Sequence, residues 1–133
     1  MELSLEDAHA LVVKVMENFE QNEEYANIIA DHIIDCELRG LSYGGLARIL
    51  SITERLQRTG NPTNFVEVVH ETPASARLRG HDNLGYVVGY KATDLAISKA
   101  KESGIAIVGA NETWYTGMLS YFAEMAAAEG MVS

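Results

Sequence analysis

The sequence predicts a mixed α+β (α/β) fold, with an N-terminal three-helix unit over residues 1–60 and a β-α-β-α segment over 61–133. Three observations carry this reading. Apolar residues recur at intervals of three and four up to Arg58, which is a helical period. Gly60-Asn61-Pro62 then stops the pattern. Beyond it, two short apolar runs, Phe65–His70 and Ile105–Gly109, flank a long helical stretch.

Each element has a local reason. Ser4 with Asp7 reads as a capped helix start, and Ala8, Leu11, Val12, Val15, Met16 and Phe19 give an apolar stripe over about 5–19. Asn22 opens a second helix whose first-turn acids, Glu23 and Glu24, complement its positive end. Its side Tyr25, Ile28, Ile29, Ile33, Ile34 and Cys36 is more apolar surface than a helical hairpin buries alone, so a third helix, another domain or another subunit has to cover it. The third helix spans about Gly44–Arg58. Phe65–His70 reads as a strand ended by Thr72-Pro73, and Ala76–Arg79 as a short second strand. The spacing predicts a helix over 85–103 closed by Ser103-Gly104, then a buried strand at Ile105–Gly109, since the run is continuously apolar. A polar, aromatic loop at 111–117 precedes a last helix over 118–129. Gly130–Ser133 reads as the start of another strand, which suggests a larger, truncated fold.

Composition narrows the function. The 133 residues suit one modest core, and 47% hydrophobic with 22% charged residues is ordinary for a globular protein. A net charge of −9 opposes binding to nucleic-acid backbones or anionic membrane surfaces. One cysteine, Cys36, excludes an internal disulfide and fits a reducing compartment; on an apolar helix face it reads as inert core. The start lacks a basic-then-apolar leader, so a cytoplasmic location is expected. The four histidines have no metal-ligand spacing, and no metal is expected; His9 reads as a surface residue. Gly80-His81-Asp82-Asn83-Leu84-Gly85 lacks both the GxGxxG and the Gly-Lys-Ser/Thr pattern.

Two stretches carry more chemistry than connections require. Arg39–Arg48 holds three glycines, a Ser, a Tyr and two Arg. A guanidinium one helical turn past Gly44-Gly45 is placed to meet an anion, while a plain helix–helix connection with Gly40 as C-cap is the alternative. Asn111–Gly117 follows a strand, where α/β proteins place ligand loops, and Trp114 reads either as a site wall or as an anchor to the core.

Three segments in order resemble the N-terminal part of the malate/L-lactate dehydrogenase family, the non-Rossmann group that includes ureidoglycolate dehydrogenase, diketogulonate reductase and piperideine-carboxylate reductase. They are Glu37–Gly40 through Leu46–Arg48, where that family reads R-G-x-x-S-H-G-x-x-R; Glu71–Ala74 with Asp82–Gly85 and Val87–Gly89; and Thr113–Gly117 with Tyr121 and Ala123, where it has S-x-H-F-G then Y-x-A. The resemblance implies an NAD- or NADP-dependent oxidoreductase acting between a 2-oxo or imino acid and its 2-hydroxy or amino acid. It also implies a homo-oligomer, or a second polypeptide completing the fold, and a substrate carboxylate held by Arg48. No residues of this chain are assigned to the cofactor. Tyr43 and Gly44 stand where the family has Ser and His, and Tyr115 where it has a second His. Tyr43 and Tyr115 are therefore the candidate proton donors, since a phenol donates a proton readily but serves as a base at neutral pH only when its pKa is depressed. Packing or hydrogen bonding accounts for either tyrosine as well. Thr113 and Trp114 are candidate substrate-site walls. The alternative is a non-catalytic interaction or dimerisation module that kept the fold without the catalytic histidines.

Overall fold

A computed structural model describes residues 3–133. The chain divides into two compact units, Met1–Asn61 and Pro62–Ser133.

The first unit is helical: α1 (Leu5–Asn18), α2 (Glu23–Leu38) and α3 (Arg48–Thr59). Ser4 caps α1, its hydroxyl accepting the Asp7 amide at 3.0 Å, and Asn22 caps α2 by accepting the Tyr25 amide at 2.9 Å. Caps of this kind contribute about 1 kcal/mol each. α1 packs against α2 through Ala8, Val12 and Met16, and His9 pairs with Asp31 across the same two helices at 2.8 Å. α2 buries Tyr25, Ile28, Ile29, Ile33 and Cys36, the side its periodicity marked, together with His32. Burial holds the His32 imidazole down at about 4, with the Asp35 carboxylate pulling the other way. Cys36 is buried, as expected of an inert thiol; burial first, then Asp35, push it up, with Arg39 opposing. The third helix starts at Arg48 rather than Gly44, because residues 42–47 form turns. Two consecutive glycines are poor helix starters.

The second unit runs β1 (Glu67–Thr72), β2 (Ser75–Leu84), α4 (Gly85–Ser103), β3 (Ile107–Trp114) and α5 (Leu119–Ala128). The sheet order is β1-β2-β3. β1 and β2 pair antiparallel as a hairpin, whereas β2 and β3 pair parallel, joined by α4 as the crossover that parallel strands require. α4 packs on β2 and β3, and α5 packs on α4. Lys99 of α4 is buried and reaches the end of β1, donating to the Thr72 carbonyl at 2.6 Å and pairing with Glu71 at 2.8 Å. Gly104, left-handed at φ 82°, ends α4 where the sequence placed its stop.

Three expectations change here. The short strand at 76–79 is ten residues long, since Gly80-His81-Asp82 is a bulge within β2 and not a turn. β3 is mostly exposed rather than buried, with Ile107 72% accessible, because it lies at the sheet edge. Residues 131–133 adopt no strand. Among the described residues no helix is long and apolar enough to cross a membrane.

Candidate functional site

In the first unit, the loop from Arg39 to Arg48 is built on the end of α2. Gly40, at φ 73°, takes the left-handed conformation that turns the chain out of the helix, and Leu41 donates back to the Cys36 carbonyl at 3.0 Å. The next turn closes through Gly44 and Gly45, whose amides both donate to the Leu41 carbonyl at 2.8 and 3.0 Å. Glu37, the penultimate residue of α2, accepts the Leu46 amide at 2.8 Å. A Cβ on Gly45 would lie 2.0 Å from that carboxylate oxygen, so the loop closes onto Glu37 only because position 45 has no side chain. Gly44 lies over Cys36, with room for a Cβ at 3.6 Å from Sγ. Arg39 is held by Asp35 through two hydrogen bonds, at 2.8 and 3.3 Å. Tyr43 stands 72% exposed on the turn, and Arg48, half-buried, begins α3 with its amide donating to the Gly45 carbonyl at 2.9 Å.

In the second unit the carboxyl ends of the parallel strands β2 and β3 lie together, pairing Asn83 with Thr113 and Leu84 with Trp114. Between Arg79 and Asn83 the register slips, and His81, Asp82 and Glu112 all have positive φ. Non-glycine residues rarely adopt this conformation, and such residues concentrate where surrounding packing over-determines the backbone. That packing is visible. A Cβ on Gly80 would meet the Glu112 carbonyl oxygen at 2.4 Å, and one on Gly85 the Thr116 Cα at 2.6 Å. Asn83 is buried and donates to the carbonyls of Asn64 and Gly80 at 2.8 and 2.7 Å, while its own carbonyl accepts the Thr113 hydroxyl at 2.8 Å. Trp114 is buried, its indole N–H donating to the Asp82 carbonyl at 2.8 Å. Tyr115 follows in the left-handed region at φ 52°, part-exposed, its ring edge-on to Trp114 at 5.0 Å.

The structure thus gathers Thr113, Trp114 and Tyr115 at one strand end, and Tyr43 with Arg48 on one loop of the other unit. None of the five lines the groove of about 790 Å³ formed by Ala96, Ile97, Ile105, Val108, Phe122 and Met131, nor the cleft of about 200 Å³ beside Glu37 and Leu46. Sequence reasoning missed Glu37 and Asn83. Glu37 binds nine residues away, beyond any local capping pattern, whereas an Asn three residues after a Gly in a strand is a legible sign of a bulge. The glycines of the β2–α4 junction, Gly80 and Gly85, serve close backbone packing against Glu112 and Thr116. Among the described residues no three His, Cys, Asp or Glu side chains group to hold a metal ion.

Comparison with known proteins agrees over the whole described chain. The family model for malate/L-lactate dehydrogenase matches residues 3–133. The chain is 34% identical over 133 residues to the malate/(S)-sulfolactate dehydrogenase of Methanothermus fervidus, covering 99% of this chain and 39% of that one. It is 37% identical over 128 residues to a malate dehydrogenase of Pyrococcus abyssi, covering 96% of this chain and 35% of that one. The solved sulfolactate dehydrogenase from Methanocaldococcus jannaschii superposes with a TM-score of 0.92 at 35% identity, over 97% of this chain and 38% of that one. The chain therefore spans a little over a third of the length of the relatives it matches. With the family model matching residues 3–133 and the fold superposing on a solved relative, the chain belongs to the malate/L-lactate dehydrogenase family.

Proposed function

We propose that this chain is the N-terminal portion of a nicotinamide-dependent oxidoreductase that interconverts a 2-oxo or imino acid and its 2-hydroxy or amino acid. The observation that carries the reading is the family match across residues 3–133, with relatives named for malate and sulfolactate, both 2-hydroxy acids. In the working assembly, further polypeptide completes the fold and supplies the residues that hold NAD or NADP, a reading supported by the chain spanning 39% and 35% of the two relatives.

Each candidate has a role that its chemistry suits. Arg48 takes the substrate carboxylate, because a planar guanidinium fixes a carboxylate in orientation as well as in charge. Tyr43 and Tyr115 are the proton donors for the carbonyl oxygen, in place of the imidazoles that general acid catalysis most often uses. Thr113 and Trp114 form the wall behind Tyr115, fixed to β2 by the hydrogen bonds to Asn83 and Asp82.

The test is titration of NADH and NADPH followed by nicotinamide fluorescence and thermal shift, with the chain alone and with the polypeptide that completes it. Binding in the completed assembly is expected. Absence of binding in both settings overturns the reading and leaves the non-catalytic interaction module, which the high exposure of Tyr43 would suit.

A further inference from the structure

We propose that Glu37 is the positioning residue of the Arg39–Arg48 loop: its carboxylate fixes the turn that presents Tyr43 and leads Arg48 into α3, and so sets the affinity of that loop for an organic acid. The inference rests on the reading of the loop as carboxylate-binding, but its structural part is testable without it.

Four features of the first unit converge on Glu37. Its backbone is held by α2, so the carboxylate has a fixed origin. It accepts the Leu46 amide at 2.8 Å, two residues before α3 begins. At the start of α3 the Arg48 and Ile49 amides are met by the Gly45 and Leu46 carbonyls, but Ala47 makes no side-chain cap bond and the first turn contains no acidic residue. An acid supplied from another helix therefore meets the Leu46 amide just before α3 and complements the positive end of the helix dipole. Finally, Gly45 is shaped to receive it, because any side chain there would displace the carboxylate.

The neighbouring charges divide the work. Asp35 is occupied with Arg39, so it does not substitute for Glu37 at Leu46. The loop reaches Arg48 through a short backbone chain, from Glu37 to Leu46 and from Gly45 to the Arg48 amide. Releasing Glu37 frees the segment between Leu41 and Arg48 to rotate, and an Arg that samples several orientations loses the bidentate geometry that gives carboxylate recognition its strength.

The experiment compares Glu37→Ala and Glu37→Gln with the unmodified 133-residue chain. The first readout is amide exchange at Leu46 together with the labelling rate of Cys36, the single thiol, which lies beneath Gly44. Glu37→Ala should speed both by about tenfold, the effect of losing one charge-assisted hydrogen bond. Glu37→Gln keeps an acceptor oxygen and should stay within about threefold of the unmodified chain, as a neutral acceptor forms the weaker bond. The second readout is the affinity for L-malate, followed by the chemical shift of the Arg48 side chain. It should fall with Ala and recover with Gln while the far-ultraviolet helix signal stays unchanged. Unchanged exchange and labelling in Glu37→Ala, or equal damage from Gln and Ala, overturns the proposal. Faster exchange in Glu37→Ala without any malate response in the unmodified chain upholds the role of Glu37 in shaping the loop, and counts instead against the loop as an acid-binding element.

Discussion

The Arg39–Arg48 loop and the carboxyl end of β2 and β3 both carry candidate site residues, yet they hold their shape by opposite means. The first depends on one mobile carboxylate, Glu37, closing on one amide and one glycine. The second is backbone pressed on backbone, with Gly80 against Glu112 and Gly85 against Thr116, tied by Asn83, Thr113 and Trp114. A side chain that swings away offers a soft joint, while packed main chain does not give. The Arg39–Arg48 loop is therefore adjustable, and the carboxyl end of β2 and β3 is rigid.

The comparison breaks most easily at its glycines. Gly80→Ala drives a Cβ into the Glu112 carbonyl at 2.4 Å and should cost about 3 kcal/mol in urea unfolding, at the upper end of overpacking effects. Gly45→Ala meets the flexible end of Glu37 instead, and about 1 kcal/mol is expected. Equal losses would contradict a soft loop in the first unit and a rigid strand end in the second.

Acid should separate the two regions next. His32 has its folded pKa lowered to about 4 from 6.5, so the unfolded chain takes up the proton first as pH falls. The stability that neutral His32 contributes is whole above pH 6.5, declines between about 6.5 and about 4, and then levels, for a total of about 3 kcal/mol. Amide exchange at Leu46, which rests on the same helix α2, should rise over this window before exchange at Thr113 does. A stability profile flat between pH 7 and pH 4 would remove His32 from the account.

The smallest effect sharpens the second region. Trp114→Phe keeps the buried ring and loses the N–H to the Asp82 carbonyl, which should cost about 1 kcal/mol and leave the bulge in place. A collapse of β2–β3 pairing in that variant would show that one hydrogen bond, and not packed backbone, sets the strand end.

Much of this fold was legible because its signals are local. The Ser4 and Asn22 caps, the Gly104 stop and the stripe along α1 each act within a few residues, and the helices lie where those signals put them. What escaped was set by non-local contacts. The exposure of Ile105 and Ile107 depends on β3 lying at the sheet edge, which an apolar run cannot report. The length of β2 was hidden by Gly80-His81-Asp82, which bulge within β2 where Arg79 and Asn83 pair with Asn111 and Thr113, setting three residues opposite Glu112. The start of α3 was misplaced for a related reason: the turn before it is stapled from nine residues away. The motif spacing around Arg48 and Thr113–Tyr115 carried the family signal, whereas Glu37, acting nine residues away, gave no local signal, and Asn83, three residues after Gly80, gave only that of a bulge.

The most direct test of the central claim, that the Arg48 guanidinium grips the acid to be reduced, is the oxidation of NADH or NADPH by the completed assembly with a 2-oxo acid, before and after Arg48→Ala. Turnover should disappear while the cofactor continues to bind with unchanged affinity. Turnover that survives the substitution would contradict the account and remove Arg48 from the site.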